Sequence, residues 1–300
     1  PTTIFGPGGK GKSIIADLIT VLVTFGVTIK GLPYLMPTQG SVLYLDWERS
    51  EEVHKQRISA IKNSLLITDT REIHYIKCDH PIASDIDYLC KKVAEFNISL
   101  VIVDSQMAAT AGMGHGMNDA EVSSIYYNCI RRFNCTTLTI DHTTKLGMSD
   151  ETTSETPFGS VVKYNRATSV YSVKTIQDTE SDILSLALKH EKFNLGRKQA
   201  ARGIEVQFDN NDNAEMTGLS FESFDLADVP AFSKSISEWQ IIAGILKNGA
   251  LDCGAIATAT KEMDANTKID AKRAYDVMAK KPKTFVKVAN SKTWGLVYKT

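Results

Sequence analysis

Gly6-Pro7-Gly8-Gly9-Lys10-Gly11-Lys12-Ser13 is the stretch on which the reading of this chain turns. It fits the P-loop pattern G-x-x-x-x-G-K-[ST]. It also stands where that pattern has a physical use, after the short apolar run Thr2–Phe5 and before the helical pattern Lys12–Thr28. Glycines let consecutive backbone N–H groups turn inward around phosphate oxygens, and the following helix presents its positive dipole end to the same place. The expectation is a cradle for the phosphates of ATP built from Gly6, Pro7, Gly8, Gly9, Lys10 and Gly11. Lys12 would reach the β- and γ-phosphates and the Ser13 hydroxyl would hold Mg²⁺. A glycine-rich turn that merely joins two elements is the bland alternative.

Outward from this loop, strand and helix patterns alternate. Val42–Asp46, Ile73–Lys77, Leu100–Asp104 and Thr137–Asp141 read as strands, and Ser50–Ile61, Ile82–Phe96 and Ala120–Phe133 as helices. That alternation predicts an α/β domain with a mainly parallel sheet covered on both faces. Past Phe158, Ser169–Ile176, Ile183–His190 and Gly203–Phe208 read as antiparallel edge strands. The expected organisation is an ATPase domain over 1–208, a surface hairpin and linker over 209–234, and a small domain over 235–300. Three helical patterns followed by a hairpin around Asn290-Ser291 make that last domain a winged helix-turn-helix.

Composition fits an ordinary globular chain: 43% of the 300 residues are hydrophobic and 23% charged, which excludes disordered, collagen-like and coiled-coil classes. The formal charge is −1, but residues 261–300 hold ten Lys/Arg against four Asp/Glu, leaving the tail at +6 and the remainder at −7. A basic module of this kind suits nucleic acid or another acidic partner. The apolar run Ile14–Val27 is interrupted by Asp17 and is too short to span a bilayer, so no membrane role is expected. Five cysteines with no C-x-x-C pair argue against a disulfide framework and for a reducing compartment, the cytoplasm. The chain opens at Pro1 rather than Met, from which an upstream segment is expected.

Several strand tips carry candidate chemistry. Asp104 ends the apolar strand Leu100–Asp104, where ligands gather in an open α/β sheet, and beside a P-loop it is the expected Walker-B carboxylate for Mg²⁺. Asp46 and Glu48 follow the second strand, and either could activate water. His142 in Asp141-His142-Thr143-Thr144-Lys145 could sense a γ-phosphate, against the commoner structural use of a single histidine. Ala111–Met117 has three glycines in five residues and reads as a loop at the same edge, in which His115 could touch DNA or simply connect two elements. In the last domain, Lys272, Arg273, Lys280 and Lys281 lie on or just after the third helix, with Lys283, Lys287 and Lys292 on the wing. They suit duplex DNA, or form the solvated face of a protein-binding module.

The P-loop, the strand-two acids, Asp104, Asn118-Asp119-Ala120-Glu121, the Asp141–Lys145 tip and Gly159-Ser160 with Asn165-Arg166 occur in the order found in the RepA-type hexameric helicase ATPases of the RecA-like superfamily, and the chain resembles them over about residues 2–208. The resemblance implies a RecA-like fold, a catalytic role for Glu48 and a sensor role for His142. Arg166 would be the arginine finger completing a neighbouring subunit's site. It further implies a homo-oligomer, expected as a hexamer, with single-stranded DNA in its channel, and duplex DNA or a replication protein as partner of the winged helix. The chain departs from the family at Asp141, where a second histidine is common, and at Trp47, where alanine is common. A trans cation is implied on the strand Lys189–Gly196, with Lys189 and Lys192 both candidates. Two other readings stand beside a helicase: a recombinase-like or regulatory ATPase that binds DNA without unwinding, and a DNA-binding adaptor whose assembly nucleotide controls.

Overall fold

The computed structural model describes residues 1–32, 35–113, 120–143, 161–177, 181–213, 215–265, 267–289 and 291–297. The chain folds into two compact units, one of residues 1–198 with 204–223, the other of residues 199–203 with 224–300. In the first, β1 (Thr2–Gly6) leads through the P-loop into α1 (Lys12–Phe25). Gly26 ends this helix with φ +64°, the left-handed turn that glycine adopts without strain, so α1 stops short of the expected Thr28. There follow β2 (Ser41–Asp46), α2 (Glu51–Ser64), β3 (His74–Lys77), α3 (Ile82–Glu95), β4 (Ile98–Asp104), the short α4 (Gln106–Ala109), α5 (Ala120–Arg131), β5 (Thr136–His142) and α6 (Val161–Arg166). The strands β6 (Ser169–Gln177), β7 (Ile183–Phe193), β8 (Arg202–Asn210) and β9 (Met216–Phe224) complete it.

Among the described residues the sheet runs β3-β2-β4-β5-β1-β6-β7-β8-β9. From β3 to β6 every pairing is parallel, and β7 then turns antiparallel against β6. This is the expected α/β architecture, a mainly parallel sheet with a P-loop and antiparallel edge strands. Strand alternation divides the side chains between two cores. Val42, Tyr44, Leu100, Ile102, Leu138 and Ile140 face α1 and α2, whereas Leu43, Leu45, Val101, Val103 and Phe5 face α3 and α5. That parity also decides which strand-tip residues meet the P-loop helix. Asp46 and Asp104 continue the α1 face, and Asp141 continues the other.

In the segment expected as surface hairpin and linker, 209–234, the end of β8 and β9 lie side by side in the sheet. Leu219 and Phe221 of β9 are buried in the α1-side core, so this strand belongs to the sheet, and 3₁₀ turns over Leu226–Asp228 and Pro230–Ser235 follow.

The second unit holds α7 (Glu238–Leu246), β10 (Leu251–Asp252), α8 (Cys253–Met263), α9 (Ala271–Ala279), β11 (Phe285–Lys287) and β12 (Thr293–Leu296). The strands pair in the order β10-β12-β11. Ser237 with Gln240 forms a capping box on α7, while Asp252 and Asp270 accept backbone N–H bonds at the starts of α8 and α9. Ile242, Leu246, Ile256, Ile269, Met278, Phe285 and Trp294 form its core. No helix among the described residues is long and apolar enough to cross a membrane.

Candidate functional site

The P-loop rises from the C-terminal edge of β1, and β5, β4 and β2 deliver their tips to the same edge. His142 pairs with Gly6, Ile140 with Asp104, and Asp104 with Asp46 across the ladder. Lys10, Gly11, Lys12, Ser13, Glu48, Asp104 and His142 thereby line one open cleft of about 240 Å³. Gly11 sits at φ +74° immediately before α1, and a Cβ built there would stand 2.9 Å from Leu186 Cδ2, so the turn that exposes the helix N-terminus needs glycine on two counts. Lys12, 4% exposed, folds back over the loop and donates to Gly6 O at 2.9 Å and Pro7 O at 2.6 Å. Burial lowers its pKa, while the charges of Asp104, Glu48 and Asp141 oppose that shift.

Glu48 is held from two sides. Its carboxylate accepts the Ser105 hydroxyl, and His142 Nε2 lies 3.2 Å from Oε1. The bond with His142, joined by the Ser105 bond against the opposing effect of burial, lowers its pKa to about 2. It is therefore ionised at neutral pH and, while so held, a weak base. Asp46 has a different task. Fully buried, it accepts the backbone N–H groups of Glu48 and Arg49 at 2.9 Å each, a side-chain turn that aims Glu48 at the cleft. The two acids left open by the sequence are thus separated by geometry: Glu48 faces the cleft, Asp46 shapes the turn.

Asp104 is 1% exposed, stands next to Ser13, and accepts from the Tyr44 hydroxyl at 2.8 Å and from Arg49 at 3.0 Å; the peptide to Ser105 is cis. Its second oxygen, Oδ1, is buried without a hydrogen-bond partner among the described residues. An orphaned carboxylate oxygen beside a serine hydroxyl fits a hard divalent cation such as Mg²⁺, so Ser13 and Asp104 suit the metal expected there. Gln106, directly after Ser105, is also fully buried, and among the described residues its two amide atoms and the buried Thr143 Oγ1 have no hydrogen-bond partner.

Other sequence expectations land elsewhere. Asp141 points away from the P-loop helix and pairs with buried Lys163 at 2.9 Å, a link within the fold. Arg166 ends α6 three residues before β6, and since Ser169 lies opposite Thr2, it stands at the edge where β1 begins. That is roughly a five-residue strand, about 17 Å, from its own P-loop. Lys192 donates to the carbonyls of Tyr164, Asn165 and Ala167, closing the end of α6, which leaves Lys189, paired with Glu191 at 3.2 Å, as the more accessible of the two strand cations. His115 lies outside the described residues.

In the second unit, Arg273 is committed to Glu238 of α7, with Nε 2.9 Å and an NH2 group 2.7 Å from Oε2. Lys281 lies 5.1 Å from the Trp239 ring centroid. Both are expected from the sequence on a DNA-facing surface. These contacts join α9 to α7, because α7 offers an acid and an aromatic ring near the start and end of α9, and they leave Arg273 half exposed. Lys272, Arg273, Lys280, Lys283, Lys287 and Lys292 are exposed.

Residues 1–148 match the family described as an AAA domain. The match takes in the P-loop, Glu48, Asp104 and His142, and ends within the residues following β5. Similar solved structures include a KaiC-like protein from the hyperthermophilic archaeon Pyrococcus horikoshii, at 11% identity and a TM-score of 0.47. Another is the flagellar accessory protein FlaH from Methanocaldococcus jannaschii, at 14% identity and a TM-score of 0.44. Each comparison covers 74% of this chain and 88% of the other. Among curated proteins no significant match is found. The matched segment thus holds the cleft residues, while Arg166, α6 and the second unit lie beyond it.

Proposed function

We propose that the chain is an ATP-dependent DNA helicase motor that hydrolyses ATP between the subunits of a homo-oligomeric ring, expected as a hexamer, and translocates on single-stranded DNA. The observation that carries the reading is Glu48: one carboxylate, ionised and aimed by the Asp46 turn, stands across the cleft from Lys12 and Ser13 and within reach of His142. ATP would lie with its phosphates along Gly6–Ser13, and Mg²⁺ between Ser13 and Asp104 would neutralise charge on the β- and γ-oxygens. Lys12 would exchange its two loop carbonyls for phosphate oxygens. Glu48 would orient and polarise the attacking water, and its basicity would rise when His142 turns from it to the γ-phosphate, because one of the bonds that lower its pKa is then broken.

Support for a ring comes from Arg166. It lies at the sheet edge opposite its own P-loop and forms no ion pair among the described residues, so a finger role requires a neighbouring subunit's cleft. Arg166→Ala is expected to leave ATP affinity nearly unchanged and cut turnover by a factor on the order of 10³. Mixing Arg166→Ala with Lys12→Ala protein should regenerate some sites with both residues intact. Mixed assemblies that regain no activity would refute action in trans. ATP-dependent separation of a forked duplex is the test of the helicase assignment, and DNA-stimulated hydrolysis without unwinding would instead support a regulatory ATPase. For the second unit, read as a winged helix, the exposed Lys272, Arg273, Lys280, Lys283, Lys287 and Lys292 support a partner with acidic surface, duplex DNA or a replication protein.

A further inference from the structure

Arg49 follows the strand-two acids directly, and its guanidinium enters a pocket walled by carboxylates from three elements. NH1 bonds Asp17 of α1 at 2.9 Å, Nε faces Asp46 of β2 at 3.4 Å, and NH2 bonds Asp104 of β4 at 3.0 Å together with the Tyr44 hydroxyl. The arginine side chain is 14% exposed and the three carboxylates 0–1%. Asp17 is further served by Arg57 at 3.5 Å and by His54 Nδ1 at 3.1 Å. For Asp104, Arg49 is the one ion-pair partner among the described residues. Three acids cannot be buried together without a cation, and a planar fork can span groups that a lysine ammonium cannot.

The arrangement divides Asp104 between two uses. Oδ2 is taken by Arg49 and Tyr44, while Oδ1 is buried without a hydrogen-bond partner among the described residues. A divalent ion on Oδ1 would share one carboxylate with a fixed guanidinium. At an effective dielectric of about 20, the repulsion between two cations a few ångströms apart exceeds a factor of about ten in affinity. Among the described residues no group of three acids, cysteines or histidines is arranged to hold a metal without help.

We propose that Arg49 is a resident counter-cation of Asp104 that suppresses divalent-metal binding at the Ser13–Asp104 site until nucleotide phosphates bring compensating negative charge. The inference rests on the reading of Ser13 and Asp104 as the metal site given above. It makes Arg49 a positioning residue, coupling metal entry to nucleotide entry. It also gives the buried Asp17 a purpose: Asp17 ties the cation to the P-loop helix, so that movement of α1 on phosphate binding is felt at Asp104.

The test is Mn²⁺ binding to the full chain without nucleotide, followed by loss of the free-ion electron paramagnetic resonance signal. Wild-type protein should bind weakly, and Arg49→Gln at least about tenfold more tightly. Adding Asp104→Asn to Arg49→Gln should abolish the gain, a reversal that a merely structural role for Arg49 would not produce. Arg49→Lys keeps a cation but cannot bridge Asp17 and Asp104 together. It should show a smaller gain, about threefold, and serves if the glutamine variant does not fold by circular dichroism and melting. Unchanged Mn²⁺ affinity in the folded variant, or a gain that survives Asp104→Asn, would overturn the proposal. ATP turnover of wild-type protein is read separately. Absent turnover with the expected Mn²⁺ pattern would sink the motor reading alone, and normal turnover with a flat Mn²⁺ response would sink this one alone.

Discussion

Lys163→Met probes the buried ion pair between α6 and the tip of β5. Lys163 Nζ lies 2.9 and 3.3 Å from the two Asp141 oxygens, with 3% and 0% of the side chains exposed, so deletion of the ammonium leaves a carboxylate that water cannot reach. Breaking such a pair costs about 3–5 kcal/mol, whereas replacing both partners by apolar groups is often neutral. For a unit of this size each kcal/mol moves the melting temperature by about 2–4 °C, so the variant should melt roughly 6–20 °C lower. Burial already holds the Asp141 carboxyl above its ordinary pKa against the pull of Lys163, and removal of the lysine raises it further. The penalty of an acid with a raised folded pKa is present above that pKa and fades as pH falls toward the unfolded value. The deficit should therefore be largest at neutral pH and shrink in mild acid. Urea and thermal unfolding of the single variant and of Lys163→Met with Asp141→Leu decide the matter. A single-variant deficit below about 1 kcal/mol, or a double variant no more stable than the single, would refute the reasoning.

The cleft and the second unit carry three further expectations. Gly11→Ala forces a side chain into a left-handed turn and onto Leu186, so nucleotide affinity measured by fluorescence titration should fall together with a drop in stability of at least about 1 kcal/mol; unchanged values of both would contradict the loop geometry. Because the Glu48 pKa is depressed to about 2, its ionisation stabilises the fold above the ordinary carboxyl value of 4.5 and that contribution disappears as pH falls between them, so acid unfolding of His142→Ala should begin at higher pH than in the wild type. In the second unit, replacing Lys287 and Lys292 by Ala should make the salt dependence of duplex binding shallower by about 0.9 log units per log salt for each phosphate no longer neutralised, while Arg273→Ala should leave the slope unchanged and lower stability, since its charge is spent on Glu238. A larger change of slope from Arg273→Ala than from the wing lysines would reverse that assignment.

Local patterns make the α/β fold and the P-loop edge readable in the sequence. The glycine spacing, the apolar run ending at Asp104 and the alternation of periods are all properties of a few neighbouring residues. What stays hidden depends on partners far away in sequence. Met216–Phe224 alternates polar and apolar residues as a strand should, but Gly218 and the surrounding Ser and Asn give it the look of a linker, and only burial of Leu219 and Phe221 in the α1-side core identifies it. The separation of Asp46 from Glu48 rests on side-chain parity and on a turn closed by backbone N–H groups, which spacing alone leaves open. Asp141 has a strand-tip address like that of His142, yet one residue of register sends it to the opposite face, toward a lysine twenty-two positions on. Arg49 has no assignable role in the sequence because its four partners come from α1, β2 and β4 and meet only in the folded sheet. Arg273 and Lys281 look like a DNA-facing pair by charge, and the sequence carries no sign that α7 places Glu238 and Trp239 against them.

The central claim is that Glu48 is the carboxylate that acts on water while Asp46 shapes the turn that presents it. Steady-state ATP turnover and ATP affinity of Glu48→Gln and Asp46→Asn, measured side by side, test it most directly. Glu48→Gln is expected to bind ATP as the wild type does and to lose turnover by about 10²–10⁴-fold, the usual worth of a positioned general base. Normal turnover in Glu48→Gln, with loss of turnover at full ATP affinity in Asp46→Asn, would contradict the account.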